Sequence, residues 1–251
     1  MPPSDVIPQG DEAPPADLPG PLLTSGTSAD VYALDDRRVL RRYREGRDAT
    51  PEVGLLRHVR AHGFPAPDVL DAAGSDIVMT RLHGPTLLQA LGAGEISISD
   101  AAEVLADLHD LLHDVPAPVA WDVPVSRDWP SLTGGPVVVH LDLHPGNVIL
   151  TESGPALVDW ANARAGTAEL DVAVTALLVA EVAVDAGGDY SQAARALLAA
   201  FLHATGVAPL PCLDDAAGLR AVAPALLPGE RELVPDAATL VRAMVEITAR
   251  P

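Results

Sequence analysis

The chain has 251 residues, 48% of them hydrophobic and 20% charged, which suits one large or two small soluble domains with a real core. A net charge of -19 argues against nucleic-acid or anionic-membrane partners, since both need concentrated positive charge, and it points only weakly to a cationic substrate. The weakness comes from composition: every base is arginine and alanine is abundant, a pattern that drift or salt adaptation also produces.

The opening MPPSDVIPQGDEAPPADLPG is acidic and proline-rich, with no hydrophobic period. It reads as a mobile tail over residues 1–20, and as neither a secretory signal nor a basic transit peptide. No apolar run reaches membrane-spanning length, and Cys212 is the one cysteine, so a disulfide-free cytoplasmic protein is expected. From Pro21, LLTSGTSADVYALDDRRVLRRYRE predicts three short antiparallel strands, joined by turns at 25–28 and 35–37. Thr50 before Pro51 predicts a helix with Thr50 as its cap; Val53, Leu56 and Val59 share one side, and Gly63 ends it. Two more strands are expected at 67–72 and 76–82, stopped by Gly84 and Pro85.

Beyond residue 85 the texture turns helical. Asp100 with Glu103 resembles a capping box, and Val104, Leu105, Leu108, Leu111 and Leu112 keep a helical period. A proline-rich loop at 116–130 carries Trp121 and Trp129. A buried strand is expected at 137–141, then a loop, then a hairpin of 148–150 and 156–160 around Glu152, Ser153 and Gly154. Helices separated by Gly/Pro breaks fill the rest from Ala168. The order predicts an α+β fold with two lobes: a small antiparallel sheet with one helix (21–84), and a larger, mainly helical lobe (85–251). Ligands favour the cleft between such lobes.

The chemistry concentrates in VVVHLDLHPGNVIL, residues 137–150. On a continuous strand His140, Asp142 and His144 would share one face and offer three metal ligands, the basis for a metal-dependent hydrolase. Pro145 and Gly146 demand a turn there instead. The pairs His58/His62 and His109/His113 lack the glutamate of an HExxH helix and read as ordinary helix residues. Read as a loop, the segment has the kinase spacing His140-x-Asp142-x-x-x-x-Asn147, followed by a hairpin and Asp159. Phosphoryl transfer needs a carboxylate at the acceptor hydroxyl, oxygen ligands for Mg2+, and donors along the triphosphate.

HLDLHPGN, then LVDW, then ELDVA at 169–173, resembles the aminoglycoside phosphotransferase-like small-molecule kinases, which have a protein kinase-like fold. The resemblance spans roughly residues 22 to 250 and is strongest between 137 and 173. It implies ATP and Mg2+ as cofactors and a small-molecule hydroxyl as acceptor. It implies that Asp142 receives the hydroxyl proton, that Asn147 and Asp159 hold Mg2+, and that His140, His144 and Asp171 support the loop. In the nucleotide site it implies Arg41 where the family has a lysine, with Glu52 as its partner. Ser25, Gly26, Thr27 and Ser28 would sit at the phosphates, Met79 behind the adenine, and the main chains of Thr80 and Leu82 at the base edge. The departure at Arg41, a planar fork in place of a point charge, opens a second reading: a degenerate kinase that holds nucleotide without turnover. Acids at Asp185, Asp189, Asp214 and Asp215 are candidates for meeting an amine on the acceptor.

Overall fold

The structure, a computed structural model, describes residues 19–26, 28–118, 134–185, 189–223, 226 and 228–248. Nearly all of the expected tail, Thr27, Trp121 and Trp129 lie outside the described residues.

Five strands form one antiparallel sheet: β1 (Leu22–Ser25), β2 (Ala29–Ala33), β3 (Arg38–Tyr43), β4 (Val69–Ala73) and β5 (Asp76–Thr80), in the order β1-β2-β3-β5-β4. In β3 the period of two puts Val39, Arg41 and Tyr43 on one face, so the sequence carries a charged side chain into a core layer. Helix α1 (Thr50–Ala61) meets that face, burying Val53, Leu55, Leu56 and Val59. Its start lies one residue from expectation: Thr50 is the first helical residue and Ala49 occupies the cap position without a side-chain bond. The Asp48 carboxylate just upstream accepts both the N–H and the hydroxyl of Thr50.

The crossing to the helical lobe is pinned at both ends. Arg81 N–H donates to the Arg37 carbonyl (2.8 Å) and the His83 ring to that of Asp36 (2.6 Å). Gly84, at φ 144°, lies so close to the next lobe that a Cβ there would stand 1.9 Å from the Leu150 carbonyl oxygen.

The helical lobe contains α2 (Leu87–Ala93), α3 (Ile98–His113), α4 (Ala168–Val184), α5 (Asp189–Ala204), α6 (Leu213–Val222) and α7 (Pro228–Thr248). Helix α2 opens on a capping box of Thr86 and Gln89 that the sequence reading passed over. Helix α3 is capped by Ser97, whose hydroxyl accepts Asp100 N–H, rather than by Asp100. Helix α4 is mostly apolar and buried along most of its length, and it lies at the centre, touching α3, α5, α6 and α7. Strands β6 (Val137–Val139) and β9 (Arg164–Gly166) pair with each other, as do β7 (Val148–Thr151) and β8 (Gly154–Leu157). Two expected strands stop early for one reason: Leu141 (φ 58°) and Asp159 (φ 64°) adopt left-handed backbone, which no strand can continue through. The result is an α+β, two-lobed, protein kinase-like fold. Among the described residues no helix is long and apolar enough to cross a membrane.

Candidate active site

The loop between β6 and β7 is built from below. The Asp171 carboxylate, in the first turn of α4, accepts the N–H of Leu141 (2.7 Å) and of His140 (3.1 Å). Burial works against this charge, yet the histidines His109 and His113 beside it hold its carboxyl well below the usual carboxylate range. His140 is buried edge-on to Trp160, and its Nε2 donates to the Val158 carbonyl (3.2 Å). Burial pushes the His140 ring down to about 4, so the ring is neutral and braces the loop against the β8 hairpin. Near the end of the loop, His144 Nδ1 accepts Gly146 N–H (3.1 Å), which places its remaining proton on Nε2, 3.9 Å from Asp142 Oδ1. A Cβ at position 146 would stand 2.8 Å from the His144 ring, so a side chain there would push the ring from its place.

Asp142 stands at the centre of this loop with about a quarter (24%) of its side chain exposed. Asn147 donates from Nδ2 to the Asp142 carbonyl (2.9 Å) and to Oδ2 (3.1 Å), which orients the amide and turns its own Oδ1 away from Asp142. Burial first, and the negative charge of Asp159 second, push the Asp142 carboxyl up to about 7. The negative charge of Asp159 is thus felt at Asp142, an arrangement that a shared cation relieves. Asp159 responds in the opposite direction. Burial raises it, but the Arg41 guanidinium outweighs burial and leaves its carboxyl below the usual range.

Arg41 is 6% exposed and links the lobes. One side faces Glu52 of α1 (Nε to Oε1, 3.3 Å) and the other Asp159 (2.7 Å). Glu52 is itself buried and accepts the Tyr43 hydroxyl. Burial raises the Glu52 carboxyl, and Arg41 opposes that shift. The guanidinium therefore donates to Asp159 from one nitrogen, while its Nε faces Glu52 as an ion pair without a hydrogen bond.

The remaining sheet-side residues are less open than the sequence suggests. The Ser25 hydroxyl donates to Asp30 (2.7 Å) and accepts from Arg44, and Gly26 N–H is committed to the Ala29 carbonyl (2.9 Å). Ser28 offers its carbonyl to Arg44 N–H (3.0 Å). Met79 is buried in the core between α1 and the sheet. Thr80 N–H donates to the Asp68 carbonyl (3.0 Å), whereas no hydrogen bond among the described residues engages the main chain of half-buried Leu82.

Two expectations change. The metal-ligand face of His140, Asp142 and His144 is not formed, because left-handed Leu141 turns His140 inward to Val158. Asp185 and Asp215 are exposed, and exposed Asp214 pairs with Arg242. The Asp189 side chain lies outside the described residues. The charges that reach Asp142 from the helical side are instead Arg220 of α6 and Glu181 of α4, joined by two bonds of 2.9 and 2.6 Å. An arginine and a glutamate 39 positions apart give no motif, so only the fold reveals them.

A buried acid loop, an oriented asparagine and a lobe-bridging cation make a site of the kind that handles phosphoryl groups. The profile of the phosphotransferase enzyme family matches residues 20–127 and 124–211, and the chain belongs to that family. It resembles an ethanolamine kinase of Plasmodium vivax at 11% identity and a TM-score of 0.58, covering 88% of this chain and 83% of that one. It resembles the amicoumacin kinase hAmiN, in complex with AMP-PNP, Ca2+ and Ami, at 13% identity and a TM-score of 0.55, over 91% and 88% of the two chains. ADP-bound aminoglycoside phosphotransferase APH(2'')-Ib is similar at 15% identity and a TM-score of 0.53, over 89% and 93%. No curated protein sequence matches the chain.

Proposed function

We propose that the protein transfers the γ-phosphoryl group of ATP to a hydroxyl of a small molecule, an amino sugar or another small alcohol, in the cytosol. The observation that carries this reading is the convergence of Asp142, Asn147 and Asp159 at one loop and one turn, with Arg41 reaching across from the sheet. The Asp142 carboxylate takes the proton of the acceptor hydroxyl as that oxygen bonds to phosphorus and the bond to ADP breaks, a contribution of roughly 10² to 10⁴ in rate for such groups. The donors available beside it, Asn147 Oδ1 and the Asp159 carboxylate, are all oxygen and suit Mg2+, which supplies charge neutralisation along the triphosphate. Arg41 then turns part of its charge toward phosphate oxygens and keeps Glu52 as its anchor. Leu82, with its main chain unengaged among the described residues, is the better candidate of the hinge pair for the adenine edge. Neighbours of the same fold have been captured with ADP or AMP-PNP, which supports nucleotide use here.

The second reading, a nucleotide holder without turnover, is favoured by one observation. The Arg41–Asp159 contact of 2.7 Å already occupies an oxygen that the cation requires. Incubation with γ-labelled ATP, magnesium and a panel of amino sugars, amino alcohols and macrolides separates the two. Label appearing in an acceptor with wild type and not with Asp142→Asn supports transfer. Tight Mg-ATP binding with no labelled product across the panel supports the second reading.

A further inference from the structure

Beneath the loop lie four side chains, His109 and His113 on α3 and Asp171 and Thr175 on α4, of which only Asp171 is expected from the sequence to support the loop. Three are buried completely and the His113 side chain is 9% exposed. Their hydrogen bonds can be assigned by donor counting. The Leu143 carbonyl only accepts, so the single hydroxyl proton of Thr175 goes to it (2.8 Å). Toward His109 Nε2, 3.0 Å away, Thr175 can therefore only accept, and His109 carries a proton on Nε2. His113 Nε2 donates to Asp171 Oδ2 (3.1 Å). Asp171 passes the restraint on to the N–H groups of His140 and Leu141.

Residues 140, 141 and 143 are thus tied on both sides of Asp142, and one of them, Leu141, has left-handed backbone that costs roughly 1–3 kcal/mol unless the surroundings over-determine it. We propose that His109 and His113 are positioning residues for Asp142, acting through Thr175 and Asp171 to hold the loop in its strained, active shape. The geometry stands by itself; its consequence for turnover rests on the phosphotransferase reading above.

A shared cation is the competing use of these atoms, since ligand atoms of His109, His113 and Asp171 lie within 4.8 Å of one another and His109 Nδ1 has no hydrogen-bond partner. Asp171 Oδ2, however, already accepts two N–H groups, and it stands in the first turn of α4, where the helix end is positive. Adding a divalent ion there would displace bonds that hold the loop.

The test pairs isosteric and rescue variants. Thr175→Val keeps the shape and removes the hydroxyl; Thr175→Ser restores it. His109→Ala removes the donor; His109→Gln keeps an N–H near the Nε2 position. The expected result is a ten- to hundredfold fall in kcat for Thr175→Val and His109→Ala, with the KM for ATP within threefold and most of the loss recovered in Thr175→Ser and His109→Gln. Amide exchange at His140 and Leu141 should be at least tenfold faster in His113→Ala. Unchanged exchange at those two amides in His113→Ala, or equal kcat loss in the rescue variants, overturns the proposal. So does stoichiometric zinc in wild type that is lost in His113→Gln. If wild type transfers no phosphate at all, faster exchange in His113→Ala still upholds the clamp and only the phosphotransferase reading falls.

Discussion

The loop at residues 140–147 and the turn at residues 25–28 are both short, polar and marked by glycine, yet they are held in opposite ways. The first is fixed from beneath by Asp171, from the side by the His140–Val158 bond and internally by Asn147 and His144. The second closes on itself at the edge of a sheet, in a strand whose residues are all exposed, through Ser25, Asp30 and Arg44. The difference teaches where the chemistry is pre-arranged. A proton acceptor must be held to within fractions of an ångström before substrate arrives, whereas a phosphate-capping turn can reorganise around its ligand.

The contrast predicts a graded series of effects. Asp142→Asn should lower turnover by about 10² to 10⁴ while leaving Mg-ATP affinity within about threefold, measured by steady-state kinetics and calorimetric titration. The same variant carries a stability signature. Because the folded value of Asp142 is raised to about 7, its proton is held more tightly in the folded chain. Stability from this group is fully present below the ordinary carboxylate value and is lost as pH rises through about 7. Asp142→Asn should therefore melt a few degrees higher than wild type at pH 8 and about the same at pH 4.

Arg41→Ala comes next, because it strands buried Glu52 without a counter-charge; breaking such a pair costs about 3–5 kcal/mol. Denaturant titration checks it, and Arg41→Lys should lose less while binding Asp159 more weakly. Third, wild-type kcat/KM should fall about tenfold per pH unit below about 7, as the Asp142 carboxylate is protonated. Smallest is Ser25→Ala, with less than a threefold change in the KM for ATP and stability within about 0.5 kcal/mol, since Ser25 is exposed. An effect at Ser25 as large as at Asp142 would erase the distinction between the two loops.

What could be read from the sequence follows the same division. HLDLHPGN with Asp159 behind a hairpin was legible because backbone demands and chemistry coincide there: Pro145 and Gly146 force the turn that sets Asp142 beside Asn147. The five strands were legible through their period of two and their turns. The helix start at Thr50 holds to within one residue, whereas the cap of α3 falls on Ser97 rather than Asp100, because several short polar residues compete for a cap within two or three positions and only geometry decides among them. The strand β9 escaped notice because three residues, Arg164, Ala165 and Gly166, carry no pattern. From the sequence His109 and His113 read as ordinary helix residues. Their meaning depends on Asp171, which lies 58 positions beyond His113, and that contact exists only after α3 packs against α4. Arg41 shows the reverse case: its identity stood out at once, but not that it reaches Asp159.

If Asp159 and Asn147 hold the cation of a nucleotide whose γ-phosphate faces Asp142, Mg-ATP affinity must depend on the Asp159 carboxylate. Calorimetric titration of Mg-ATP into wild type and Asp159→Asn at pH 8 measures that dependence. At least a tenfold loss of affinity is expected in Asp159→Asn, with a reduced dependence on magnesium concentration. Equal affinity and equal magnesium dependence in the two proteins would contradict it.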